Sequence, residues 1–279
     1  MYYDTIKKHK LGDVFKTFDQ ENKAISELFH SVVGNSIGLP CAKNSAATCL
    51  MPNGAKKYGI SSKNFLKKAW FRGNEQLFPM YQFLSQYYGS EFLHTTLQLV
   101  DLKALLSRLP TYNDEKLRRG IVQNFLMSHV SGNWDMHGFH NTAVIKPTNI
   151  IAPSFDFELC ADFPATHERI TNDLRDYRIG IVNKGIRPKN IEFIKTNFPE
   201  VIEEVIDKMR TLRHNPDFKD MCNFRPLEDF LLNMVNKHRN NPYRQQTPAD
   251  MHKKLRSLSK RTFKTYTAKF DRIADSFAR

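Results

Sequence analysis

The stretch that decides the fold is 131-SGNWDMHGFHNTAVI-145, continued after a short gap by 150-IIAPSFDFELC-160. Ahead of it, Leu117, Ile121 and Phe125 mark one face of a helix capped by Asn113, with Asp114 and Glu115 in its first turn. That helix is expected to run to about His129. Behind the loop, the apolar runs 142–145 and 149–152 are split by Lys146-Pro147-Thr148, which predicts a β-hairpin. Helix and hairpin thus support a loop bearing Asp135, His137, His140 and Asn141, and return the chain at Asp156. Asp156 lies between Phe155 and Phe157, where a carboxylate is costly without a cation or several donors. A carboxylate, a carboxamide and a second carboxylate, all oxygen donors, suit Mg²⁺ and a phosphoryl group in transfer. The rival reading is zinc held by His137 and His140 with His129 or Cys160. A His-x-x-His pair in a glycine-containing loop lacks a helical frame, and no glutamate lies between the two to act as a base.

Outward from this stretch, residues 11–18, LGDVFKTF, predict a short strand carrying Lys16. Ile25, Leu28, Phe29, Val32 and Val33 recur near the helical period and predict a helix over 21–36, capped by Asp19 and ended by Gly38 and Pro40. Residues 41–65 predict two strands around the turn Pro52-Asn53-Gly54. Beyond about residue 70 the pattern turns helical, over 75–89, 91–108, 167–183, 188–195, 198–212, 225–239 and 248–277, with loops near Pro216 and Pro242. The expected fold class is α+β with two lobes, a small strand–helix–hairpin unit over 1–72 and a helical unit over 73–279.

With 41% hydrophobic and 25% charged residues, the chain is not of disordered composition. No apolar run approaches the roughly 18 residues that span a bilayer, and the charged first twenty residues do not read as a signal peptide. Cys41, Cys49, Cys160 and Cys222 form no CxxC pair and read as reduced thiols. Residues 251–279 carry nine basic and two acidic residues, about half of the net charge of +13. Phe263, Tyr266, Phe270, Ile273 and Phe277 recur at spacings of 3 and 4, predicting a helix that docks its apolar stripe and solvates its charges. Contact of that basic face with RNA or an RNA-associated partner is the other reading.

The segment GNWDMHGFHN, the hairpin and IAPSFDFELC resemble the catalytic segment of HipA-like serine/threonine kinases, in which G-N-x-D-x-H-x-x-N leads through a hairpin to A-P-x-x-D. In 14-VFKTFDQENKAISELFHSVVGNSIGLP-40, a strand lysine, a helix glutamate and a closing G-L-P resemble the same family, as does 61-SSKNF-65. The resemblance covers residues 12–165 and implies a two-lobed protein-kinase-like fold with ATP and Mg²⁺ between the lobes. It implies Asp135 as catalytic base oriented by His137, Asn141 and Asp156 as magnesium ligands, and Lys16 on the ATP phosphates paired with Glu27. It further implies a protein substrate with a serine or threonine hydroxyl, and a toxin or effector role. The corresponding partner is a small antitoxin-like protein or an RNA-associated target, and the location cytoplasmic, or in a host cell after secretion without a cleavable signal peptide. Ser61 and Ser62 are then candidate autophosphorylation sites, or a plain turn.

Two departures stand out. Asn141 follows Asp135 by six residues where the family has five, so one residue must bulge near Gly138-Phe139. The first sixteen residues hold one glycine, Gly12, where kinases close a glycine-rich loop over the phosphates. Short HipT-type and CtkA-type members resemble the chain in having a reduced N-terminal lobe. The alternative is a pseudokinase or binding module that needs a partner.

Overall fold

The computed structural model describes residues 3, 6–8, 10, 12–64, 76–88, 99–109, 114–133, 142–146, 148, 150–158, 160, 163, 185–238 and 245–278. Residues 7–62 form a four-stranded sheet and one helix: β1 (Lys7–Lys8), β2 (Val14–Lys16), α1 (Glu21–Ser36), β3 (Asn44–Leu50) and β4 (Lys56–Ser62), in the sheet order β1-β3-β4-β2. β3 and β4 are the antiparallel hairpin expected around Pro52-Asn53-Gly54, and β2 pairs antiparallel with β4, Lys16 opposite Ile60. The β2 strand approaches β4 so closely that a Cβ on Gly59 would fall on the backbone oxygen of Lys16.

Helix α1 has the predicted limits, but its surroundings differ from those of a surface helix. Ala24, Ile25, Phe29 and Val33 are fully buried, and so are the polar Ser26, Glu27, His30 and Ser31. A helix buried around most of its circumference must satisfy its buried polar groups internally. Ser31 donates to the Ala42 carbonyl at 2.6 Å, and the His30 ring meets the Tyr266 hydroxyl. The predicted Asp19 cap is not used. Gln20 occupies the cap position without capping through its side chain, and Asp19 pairs with Lys23 at 2.9 Å. At the other end Gly38 adopts φ 81°, which lets the Leu39 N–H reach the Gly34 carbonyl at 2.9 Å and close the helix.

A second sheet, antiparallel, is built from β5 (Gln76–Pro79), β6 (Ala143–Lys146) and β7 (Ile150–Ile151). β6 and β7 are the predicted hairpin. β5 corrects the helix expected over 75–89, of whose described residues only α2 (Met80–Tyr88) is helical, because Leu77 and Phe78 pair with Ile145 and Val144. α3 (Leu102–Ser107) is the helical part described of the span expected over 91–108, and α4 (Asp114–Ser131) extends two residues past His129. The expected helix at 167–183 lies outside the described residues, as do the cap Asn113 and the bulge near Gly138-Phe139.

The remainder is helical: α5 (Pro188–Asn197), α6 (Pro199–His214), α7 (Pro216–Met221), a 3₁₀ turn (Arg225–Leu227), α8 (Glu228–His238) and α9 (Pro248–Ala278). A helix replaces the loop expected at Pro216. Asn215 caps it through the Asp217 N–H at 2.9 Å, and proline suits the first helical position. On α9, Tyr266, Phe270, Ile273 and Phe277 are buried as predicted, whereas Phe263 is 37% exposed. One hydrophobic core joins α1 to these helices, with the Phe29 ring 4.7 Å from Tyr266 and the His30 ring 5.4 Å from Phe163. The architecture is mixed α+β, a small sheet region first and a mainly helical part after it. Among the described residues no helix is long and apolar enough to cross a membrane.

Candidate functional site

Lys16 closes β2, and its ammonium meets three carboxylates. Nζ lies 2.6 Å from Asp156 Oδ1, 2.9 Å from Glu158 Oε2 and 3.8 Å from Glu27 Oε1. Glu27, from the middle of α1, is 4% exposed, while the Lys16 side chain is 40% exposed. A group facing outward from the cluster therefore has access to the lysine, and Glu27 braces it from behind. The predicted pairing of Lys16 with Glu27 is present, though its closer partner is Asp156. Glu21, the other acidic residue at the start of α1, instead accepts from Lys254 and Gln246, both at 3.0 Å.

The supporting contacts come from elements far apart in sequence. Asn44, the first residue of β3, donates from Nδ2 to Glu27 Oε2 at 3.0 Å and to the Glu27 carbonyl at 3.1 Å. The Ser62 hydroxyl donates to Asn44 Oδ1 and fixes its orientation. Asn133, at the start of the decisive loop, donates from Nδ2 to the Asp156 carbonyl at 2.9 Å. Ser26 of α1 donates to the Phe157 carbonyl. Asp156 itself has φ 61°, a left-handed conformation that costs a residue with a Cβ about 1–2 kcal/mol and that aspartate tolerates better than most. Strained backbone at a charged cluster, tied down on both sides, is a common feature of functional sites.

Electrostatics sharpen the picture. Burial, and then the charge of Asp156, push the Glu27 carboxyl up to about 8, with Lys16 and the Phe157 N–H opposing. Burial alone would push the Lys16 ammonium down, but Asp156 and Glu27, with hydrogen bonds to Asp156 and Glu158, hold it above the ordinary lysine value. The Lys16 ammonium is thus outnumbered by acidic groups, of which buried Glu27 is the one that favours its neutral form. Among the described residues no three His, Cys, Asp or Glu side chains are grouped to hold a metal unaided.

Of the residues singled out from sequence, Lys16, Glu27 and Asp156 come together. Asp135, His137 and Asn141 lie outside the described residues, and so does His140. Among the described residues, neither His129 nor Cys160, the other candidates for zinc, belongs to a group of three possible metal ligands. Burial and the nearby Lys269 lower the His129 pKa to about 3, and the Cys160 thiol donates to the Phe157 carbonyl at 3.3 Å. Glu158 and Asn44 were missed. Glu158 had a signal, standing two residues after Asp156, but Asn44 makes its contact from a strand to helix α1 and has none in the local pattern. A cavity of about 520 Å³ lined by Lys103, Leu106, Arg118, Phe193 and Phe198 lies on other elements and shares no residue with this cluster.

No protein-family model matches the chain, and no curated protein matches it. Among solved structures it is similar to the crystal structure of a proinflammatory kinase, CtkA, of Helicobacter pylori. The likeness covers 98% of this chain and 95% of that one, at 14% identity and a TM-score of 0.44. A likeness that loose carries no argument about this chain's fold or chemistry, which rest on the residues above.

Proposed function

We propose that this protein is an ATP- and Mg²⁺-dependent serine/threonine protein kinase of the HipA-like type. The observation that supports this reading most is the convergence of Lys16 from a sheet edge, Glu27 from the following helix and Asp156 from beyond a distant hairpin. Lys16 supplies a positive charge for phosphate oxygens, and Glu27 with Asn44 keeps it in place. Asp156, with Asn141, would hold Mg²⁺, which when bound neutralises charge on the phosphates. Asp135 takes the proton of a substrate serine or threonine hydroxyl. The hydroxyl oxygen bonds to the γ-phosphorus of ATP as the bond to the β–γ bridging oxygen breaks and ADP departs. His137 orients Asp135, and a reacting protein substrate enters from the exposed side of Lys16.

The single glycine in the first sixteen residues favours a second reading, a pseudokinase or binding module completed by a partner. The two separate with γ-labelled ATP, Mg²⁺ and a generic protein substrate. The kinase reading predicts label transfer that Asp135→Ala and Asp156→Asn each reduce by at least about 10²-fold, the scale of general-base and electrostatic contributions. Equal label from wild type and both variants would overturn it.

A further inference from the structure

The outer face of α9 carries a separate feature. From Met251 to Phe270 the sequence has no acidic residue. At 3.6 residues per turn, Lys253, Arg256, Lys260 and Lys264 fall within an arc of about 80° and a length of about 17 Å, successive charges rising about 4.5 to 6 Å. All four are exposed. None forms an ion pair with a described residue, whereas the neighbouring Lys254 is paired with Glu21 and His252 with Glu228. Phe263 lies at the edge of the same arc, 37% exposed, its ring supported by Phe218 at 5.6 Å. An exposed aromatic ring packed on a neighbouring ring, beside a file of cations that have no ion pair among the described residues, is what successive phosphates and an unstacked base require.

A membrane surface fits less well. Binding in the interface needs an apolar helix face to insert, and the apolar face of α9, from Met251 through Phe277, is buried in the core. Double-stranded DNA offers phosphates but no free base face for Phe263. We propose that this face of α9 binds single-stranded RNA, phosphates along Lys253, Arg256, Lys260 and Lys264 and a base stacked on Phe263. The site shares no residue with the Lys16 cluster, so neither proposal depends on the other.

The test is fluorescence anisotropy of labelled oligouridine with the full chain, beside a DNA duplex and phosphatidylserine-containing vesicles. Four phosphate contacts on a single strand predict a log–log salt slope of about −2.8, or about fifty-fold weaker binding at 200 mM than at 50 mM salt. The combined change K253Q/R256Q/K260Q/K264Q should abolish binding. Phe263→Ala should weaken binding to RNA at least about fivefold and leave binding to duplex DNA unchanged. All five side chains are exposed, so circular dichroism should show unaltered helix content, and Lys260→Gln alone with Phe263→Ala serves if the combined variant misfolds. The proposal is overturned by RNA binding that survives the substitutions, by binding insensitive to salt, by preference for duplex or vesicles, or by no binding.

Discussion

Asp156 is the residue on which charge, strain and position meet. Its left-handed backbone is held by the Asn133 bond to its carbonyl, and its carboxylate contacts Lys16. Asp156→Asn keeps a side chain that tolerates this conformation while removing the charge, so it separates function from folding. Beside it, Glu27 gives a pH signature. Its folded-state pKa, about 8 against an ordinary 4.5, lies above the unfolded one, so the fold favours the protonated acid. That contribution is fully present below about 4.5 and is lost as pH rises through 8. The predicted sign is a fall in stability as pH rises across this window. Glu27→Gln should flatten it in urea titrations at several pH values, and an unchanged slope would show that Glu27 is not the group responsible. His129 acts in the opposite sense. With a folded-state pKa near 3, below the ordinary 6.5, its contribution is present above 6.5 and lost as pH falls toward 3. His129→Leu should therefore reduce the loss of stability on the acid side.

At the scale of elements, β2 matters more than its three residues suggest, because it positions Lys16. Its separation from β4 depends on Gly59, where any Cβ meets the Lys16 backbone oxygen and the Phe15 ring. Gly59→Ala should lower the urea midpoint, by about 1–3 kcal/mol of stability, and weaken nucleotide binding as β2 shifts. The elements legible in sequence were those with strong local pattern. The period of Ile25, Leu28, Phe29 and Val33 placed α1, the turn Pro52-Asn53-Gly54 placed the β3–β4 hairpin, and the Lys146-Pro147-Thr148 turn placed β6–β7. β5 escaped because its strand identity comes from pairing with β6, some seventy residues away, while 75–89 reads locally as one helical span. Phe263 was assigned to the buried stripe from spacing alone, yet the stripe turns about the helix and leaves it at the margin. Lys16, Glu27 and Asp156 were legible through the motif they resemble. Their third carboxylate, Glu158, and their brace, Asn44, depend on tertiary approach that no local period encodes.

Across the whole molecule, α1 is the element that ties the sheet region to the helical part. It lies in the same hydrophobic core as α9, and the Tyr266 hydroxyl links them, bonded to the His30 ring and 3.5 Å from the Ser131 carbonyl. Tyr266→Phe leaves the ring packing intact but strips buried polar groups of a partner, which should cost about 1–3 kcal/mol. Far-ultraviolet dichroism and tryptophan fluorescence should follow that loss in one coincident transition, and two separated transitions would contradict a shared core. The central claim is that the Lys16, Glu27 and Asp156 cluster is a magnesium–nucleotide site. Calorimetric titration with a non-hydrolysable ATP analogue tests it most directly, on wild type, Lys16→Met and Asp156→Asn, with and without Mg²⁺. The account predicts binding by the wild type that requires Mg²⁺, weakened at least about tenfold in both variants. Equal affinity in all three proteins, or no wild-type binding at all, would contradict it.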